Sequence, residues 1–385
     1  MQATEKLFFA LLQSEVCGVP LPRETHSLSE EDSRELFRLA DRQDLAHLLY
    51  NALTRNGLLE EGDPAYKSFS KAQLLAVYRT EELTREEAFA KEKLGDEGIA
   101  CLPLKGAVLR YLYPEPWMRT GCDVDLLVSK EKAEDAEKIL LATGRYRVYF
   151  RSPHDLSLVT DKGTHIELHK TLSAKGEESG LYSPLLDAIS DAPDLGGISA
   201  LPDDLFYCYH VFHMASHVKI GGCGVRPFLD LWLLNHRLPK KSEARNASLA
   251  EVGLLSFAEK AEKLSEVWFS SAESDAFSDA FSSFILSGGV YGSDANAALI
   301  EKGQAGGKGR YRLHRIFLPY RELKERYPVL KKHPILFPLV SVWRWIAALF
   351  GGTHRKVEKT LAQGEKAEQN LGVLAKDFWS QMGLP

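Results

Sequence analysis

Two short stretches constrain this chain more than any others: CDVDLLV at residues 122–128 and THIELHK at residues 164–170. Each alternates polar and apolar side chains with a period of two, the pattern of a strand whose two faces differ. In the first, Asp123 and Asp125 share one face, and Val124, Leu126 and Val128 share the other. In the second, His165, Glu167 and His169 lie opposite Ile166 and Leu168. If these strands are sheet neighbours, three carboxylates converge. Such a cluster resists ionising together unless a cation neutralises it. Hard oxygen ligands of this kind suit Mg²⁺, which keeps several waters and takes up substrate phosphates. The pattern points to metal-assisted phosphoryl or nucleotidyl transfer.

Upstream, LPLKGAVLRYLYPEPWMRTG reads as strand, turn and helix. Residues 99–104 form an apolar run, Lys105-Gly106 the break, and residues 107–113 a helical spacing ended by Pro114 and Pro116. A glycine at a helix start lets backbone N–H groups approach an anion. Lys105 and Arg119 add positive charge suited to phosphates, Arg119 with a bidentate fork.

The pattern LKGAVLRYLYP, then Arg119, then DVDLLV, then a strand carrying HIELH, resembles the bacterial nucleotidyltransferases of the DNA polymerase β superfamily. It is most similar to the group described as uncharacterised nucleotidyltransferases. The motifs span about residues 98–170; there the superfamily turn reads Gly-Ser or Gly-Gly, and here it is Gly106-Ala107. The resemblance implies an α+β fold: a small mixed sheet forming the catalytic core, flanked by N-terminal and C-terminal helical regions. It also implies two Mg²⁺ ions and transfer of a nucleoside monophosphate from an NTP such as ATP, with release of pyrophosphate. Asp123, Asp125 and Glu167 would be catalytic and metal-binding, Glu167 as third carboxylate or general base. Lys105, Gly106, Ala107 and Arg119 would bind nucleotide.

Composition narrows the partners. The 385 residues allow two or three domains, and 44% hydrophobic with 26% charged residues describes a soluble protein. A net charge of −5 argues against general nucleic-acid binding. Residues 301–333 are a local exception, with ten Lys and Arg against three Glu. That tract faces phosphates or a membrane surface, or is a solvated helix face. Five cysteines without a C-x-x-C pair suit a reducing cytoplasm, and Cys122 is expected as a small strand residue facing the core. The N-terminal MQATEKLFFALLQ reads as an amphipathic helix rather than a secretion signal. No apolar stretch reaches the length of a membrane span. In the nearest, residues 335–350, Pro338, Ser341 and Arg344 interrupt the run, so a buried helix is expected.

Three regions follow: a helical one at 1–97, the nucleotidyltransferase core at 98–200, and a second helical one at 201–385. Ser27 or Ser29 caps an early helix, and Asp63-Pro64 opens a long one reaching about Lys93. Strands are expected near 99–104, 123–129, 146–150, 155–160 and 164–170, with a helix over 130–142 and a hairpin turn at Gly163. The Gly-rich residues 286–309 read as a loop.

Four further features carry chemistry. His210, His213 and His217 lie on one helical face, as a zinc site or as a helix packed over the transfer site; no cysteine or carboxylate stands at ligand spacing to complete a zinc set. His165, His169, His213 and His217 are candidate substrate contacts. Arg226 and Asp230 face the cleft or form an i, i+4 ion pair. Trp343, Trp345, Phe337 and Phe350 stack a nucleobase or pack in the core. The expected partners are an NTP and a small-molecule or peptide acceptor. A protein-modifying transferase and a nucleotide-binding protein without turnover are the other two readings.

Overall fold

The computed structural model describes residues 2–22, 28–152, 154–172, 179–192, 200–238, 242–297, 300, 318–320, 323–324, 327–350, 362 and 378–384. Two compact units divide the chain: residues 1–216, 225–278 and 382–385 form the first, residues 217–224 and 279–381 the second. The fold is α+β, with one five-stranded mixed sheet and many helices.

In the first unit four helices precede the sheet: α1 (Ala3–Leu12), α2 (Glu30–Arg42), α3 (Ala46–Arg55) and α4 (Tyr66–Asp96). Ser29 caps α2, its hydroxyl accepting from the Asp32 amide; Ser27 lies outside the described residues. Helix α4 begins at Tyr66 rather than at Asp63-Pro64, because the Asp63 carboxylate turns back to accept the Glu60 amide.

Strands β1 (Cys101–Pro103), β2 (Asp123–Val128), β3 (Tyr146–Arg151), β4 (Asp155–Thr160) and β5 (His165–His169) form a sheet in the order β1-β2-β5-β4-β3. Only β2 and β5 run parallel. Short α5 (Gly106–Leu109) continues as a 3₁₀ turn at Arg110–Leu112. It stops there because Pro114 forces Tyr113 into an extended conformation. Helix α6 covers Ala133–Ala142 after a 3₁₀ turn at Lys130–Lys132. Between β4 and β5 the chain reverses through Gly163, whose φ of +84° is the left-handed conformation that three-residue hairpin loops require.

One face of the sheet carries Val124, Leu126, Val128, Leu156, Leu158, Ile166 and Leu168, packed on Leu83, Ala90 and Leu94 of α4 and Ala136 and Leu140 of α6. Glu86 of α4 locks this layer at the far strand: Arg145 Nε donates to Glu86 Oε2 at 2.8 Å and the Tyr146 hydroxyl donates to the same atom at 2.9 Å. The opposite face carries the polar residues. Cys122 does not face the core. It is exposed, in the bend before β2, because ladder pairing begins only at Asp123.

The remaining helices are α7 (Ser179–Ser190), α8 (Asp203–Ile220), α9 (Arg226–Arg237), α10 (Glu243–Glu251), α11 (Leu255–Phe269) and α12 (Ala276–Ser287). In the second unit, the loop expected over 286–309 is one only in part: α12 runs to Ser287, residues 294–297 are helical again, and between them the chain reverses tightly at Gly289–Gly292. There a Cβ on Gly292 would lie 2.0 Å from the Gly221 carbonyl oxygen; residues 298–299 and 301–309 lie outside the described residues. Helices α13 (Val329–Lys332), α14 (Phe337–Phe350) and α15 (Phe378–Met382) follow. Leu318, Leu323 and Leu330 form a small core with Phe337 and Val340 of α14.

Helix α14 corrects the expectation of a buried helix. Ile335 just before it is 87% exposed, Leu339 68% and Trp343 59%. An apolar run records hydrophobicity but not how much of the helix perimeter a partner covers. Here Phe337 and Val340 pack inward while the other side stays open. Trp343 is thus not a core residue.

His47, buried on α3, donates from Nε2 to the Met118 carbonyl at 2.9 Å, just before Arg119. Burial lowers its pKa from 6.5 to about 4, against the opposing pull of the Met118 carbonyl and Asp44. The folded chain therefore resists protonating it: this contribution to stability is complete above pH 6.5 and is lost as pH falls toward 4. Thermal melts across that window should show a smaller acid loss for His47→Gln than for the wild type; equal losses would dismiss His47 as the cause.

Candidate active site on the polar face of the sheet

The polar face is organised by the parallel pairing of β2 and β5. Its register sets Asp123 opposite His165, Asp125 opposite Glu167 and Leu127 opposite His169. The two acidic strands are thus neighbours, and Asp125 and Glu167 lie side by side. Asp125, Glu167 and His169 offer ligand atoms all within 4.8 Å of one another, and among the described residues this is the one such group of three. Asp123 lies outside that group, half-buried at the start of β2 on the same face.

Asp125 is the hub. Lys105 Nζ donates to its Oδ1 at 2.8 Å and His169 Nε2 to the same oxygen at 2.7 Å. His169 Nε2 also lies 3.7 Å from Glu167 Oε2. Burial by itself would raise the Asp125 pKa, but the Lys105 ammonium and His169 outweigh it and hold the carboxyl well below its usual range. Asp123 and Glu167 move the other way: burial raises both, and the neighbouring Asp125 charge raises them further. Lys105 holds its proton tightly: the Asp125 carboxylate outweighs the desolvation that would strip it.

Lys105 reaches this position through an unusual backbone. It has φ +44° and ψ −121°, and the Ala107 amide donates to the Leu104 carbonyl at 3.1 Å. These are the marks of a type II′ turn with lysine at the first central position, where glycine is the usual residue. Such strain costs on the order of 1–3 kcal/mol and persists where surrounding structure imposes it. The Leu104 amide donates to the Asp125 carbonyl at 3.0 Å, pinning the turn to β2. Arg110, buried, donates from Nε to the Gly106 carbonyl and from Nη1 to Thr84 Oγ1 on α4, each at 3.0 Å. With its amide bonded inside the turn, Ala107 contributes shape, whereas Gly106 lies against the Arg119 guanidinium: a Cβ there would meet Nη1 at 3.0 Å.

Arg119 is held by a partner that the sequence did not announce. It donates to the fully buried Asp230 of α9, from Nε at 3.2 Å and from Nη2 at 2.9 Å, and the Tyr113 hydroxyl donates to the same carboxylate at 2.8 Å. Arg226 and Asp230 are therefore not an i, i+4 pair. Arg226 instead donates to Asp44 Oδ2 at 3.1 Å and the Thr120 carbonyl at 2.8 Å. Helix α9 uses Arg226 and Asp230 to hold the segment between the turn and β2.

Helix α8 reaches the site through Tyr209. Tyr209 is buried, and its phenol senses Lys105, Asp125, Glu167 and Asp123 together; burial is the main reason its pKa is raised. His210 faces away, its Nε2 donating to the Pro227 carbonyl at 2.9 Å. His213 lies beside the Tyr209 ring, 6.3 Å between centroids. The histidines of α8 form no zinc cluster among the described residues. His165 packs edge-on to Tyr149 at 4.7 Å and lies 3.4 Å from the Ser157 hydroxyl of β4. Sequence reasoning missed Tyr209, one position before the histidine pattern it singled out, and the Asp230–Arg119 contact. Neither has a local signal, since both depend on how distant helices dock.

The mixed sheet with its flanking helices is consistent with an α+β nucleotidyltransferase fold, and its polar face carries the Asp125, Glu167 and His169 group. The family model described as uncharacterised nucleotidyltransferase matches residues 29–270, more than half of the chain, and the protein belongs to that family. Neither the curated proteins nor the solved structures yielded a match.

Replacing Asp230 with Ala would leave the Arg119 charge and the Tyr113 hydroxyl buried without their acceptor. The expected loss is about 3–5 kcal/mol in urea unfolding. A loss under about 1 kcal/mol would show that Arg119 does not depend on α9.

Proposed function

We propose that the protein transfers a nucleoside monophosphate from an NTP to a hydroxyl or similar group of a small acceptor, releasing pyrophosphate. The observation carrying this reading is the in-register Asp125–Glu167 pair with His169 at its side, facing the strained Lys105 turn. Residues 98–200 would form the catalytic core, with the helical regions around it.

The donor set suits a divalent cation: two carboxylates and an imidazole within reach of one point, with a further carboxylate, Asp123, on the same face. Asp125 and Glu167 would hold Mg²⁺, and Asp123 with triphosphate oxygens would complete the second position that the resemblance implies. Bound there, the metal neutralises phosphate charge and makes the acceptor hydroxyl more acidic.

The chain's own groups do the rest. Lys105 would exchange its bond to Asp125 for triphosphate oxygens, its retained proton making it a permanent cation. Gly106 would allow close approach of phosphate to the turn, which Arg119 supports from behind while held by Asp230. Ala107 closes that turn. Glu167, whose proton affinity burial and Asp125 raise, suits the role of base toward the acceptor hydroxyl. His169 would orient Asp125, with His165 and His213 as candidate substrate contacts.

Incubation with Mg²⁺, each labelled NTP in turn and candidate acceptors tests the reading. Asp125→Asn should reduce pyrophosphate release below detection and Glu167→Gln by at least about a hundredfold, with melting still cooperative. Full activity of either variant would remove that residue from the chemistry. Label on protein rather than on a small molecule would turn the reading to protein modification, and binding without release to a nucleotide-binding role.

A further inference from the structure

Helix α14 and the residues before it present one open apolar stripe. Ile335, Leu339, Val342, Trp343 and Ile346 are all exposed, and spacings of three and four residues put them along one side of the helix. The opposite side, with Phe337 and Val340, packs on Leu318, Leu323 and Leu330. The stripe is thus the outward face of an already packed helix.

The charge of the described residues at the stripe is basic. Among the described residues 327–346 the charged side chains are Lys331, Lys332 and Arg344, with no Asp or Glu, in a chain whose net charge is −5. Lys331 and Lys332 are exposed at the N-terminal end of the stripe. A tryptophan on an apolar face beside lysines is the composition of a helix lying in the plane of a membrane interface. Fourteen residues give α14 a length of about 21 Å, short of the roughly 30 Å hydrocarbon core. Consistently, no helix among the described residues is long and apolar enough to cross a membrane.

We propose that α14 docks this unit onto an anionic lipid surface, its apolar stripe entering the headgroup boundary and Lys331 and Lys332 meeting lipid phosphates. Two other occupants fit less well. A second copy joined through the same patch would bring like charges together, since the two halves of a two-fold interface are identical. A nucleic-acid backbone would satisfy the lysines and leave five apolar side chains in water.

Cosedimentation of the full chain with vesicles tests this, comparing phosphatidylcholine alone with phosphatidylcholine plus phosphatidylglycerol. The wild type should pellet with the anionic vesicles and be released by salt. Leu339→Glu/Trp343→Glu should lose binding, and Lys331→Glu/Lys332→Glu should weaken it by at least about tenfold on anionic vesicles. Leu339 is 68% exposed and Trp343 59%, and Lys331 and Lys332 are exposed, so both double variants should still melt cooperatively. Wild type remaining in the supernatant, or binding that the first double variant does not reduce, overturns the proposal. A dimer in light scattering that Leu339→Glu/Trp343→Glu converts to monomer also overturns it, assigning the face to a second copy.

Discussion

The parallel ladder between β2 and β5 is the constraint on which the site depends. It brings together two segments about forty residues apart in the chain, and its register puts Asp125 directly against Glu167. A slip of one residue would turn Glu167 toward the apolar layer and Ile166 and Leu168 toward the acids. That slip is opposed by burial, because Val124, Leu126, Ile166 and Leu168 all pack against α4 and α6. The apolar side of the sheet thus sets the geometry of the polar side. The β3–β4 hairpin completes the arrangement, returning the chain so that β5 can lie between β4 and β2.

Around that ladder, charge is balanced in two layers. In the first, Asp125 shares one oxygen between Lys105 and His169, so one carboxylate organises both neighbours. In the second, Asp230 holds Arg119 and Tyr113 while Arg226 holds Thr120, so α9 braces the segment that enters β2. Gly106 lies where the layers meet, with the Arg119 guanidinium against its Cα side. The positive φ of Lys105 is where this bracing shows as backbone strain. A lysine is kept at a glycine-type position, and its ammonium ends on the central carboxylate.

Helix α14 belongs to a different kind of problem. Its sequence is apolar enough for a buried helix, yet Leu339, Val342, Trp343 and Ile346 along one side are exposed. The same amino acids serve a core or an interface, and only the docking of Leu318, Leu323 and Leu330 against one side separates the two.

Much of the sheet region was legible because strands announce their faces. The alternation in DVDLLV and HIELH, the Lys-Gly break and the Gly163 turn are local, and local sterics alone determine where side chains point in each. The five strands therefore lie within a residue or two of where the pattern predicts them, and the family follows from the same motifs. Tertiary structure alone decided which groups meet across long separations: Tyr209 within electrostatic reach of the carboxylates, Asp230 on Arg119 rather than on Arg226, and Asp123 outside the close group of Asp125, Glu167 and His169. Helical spacing states which residues share a side of a helix, but not which way that side turns. That rotation is set by packing summed over many neighbours, which no single stretch of sequence encodes.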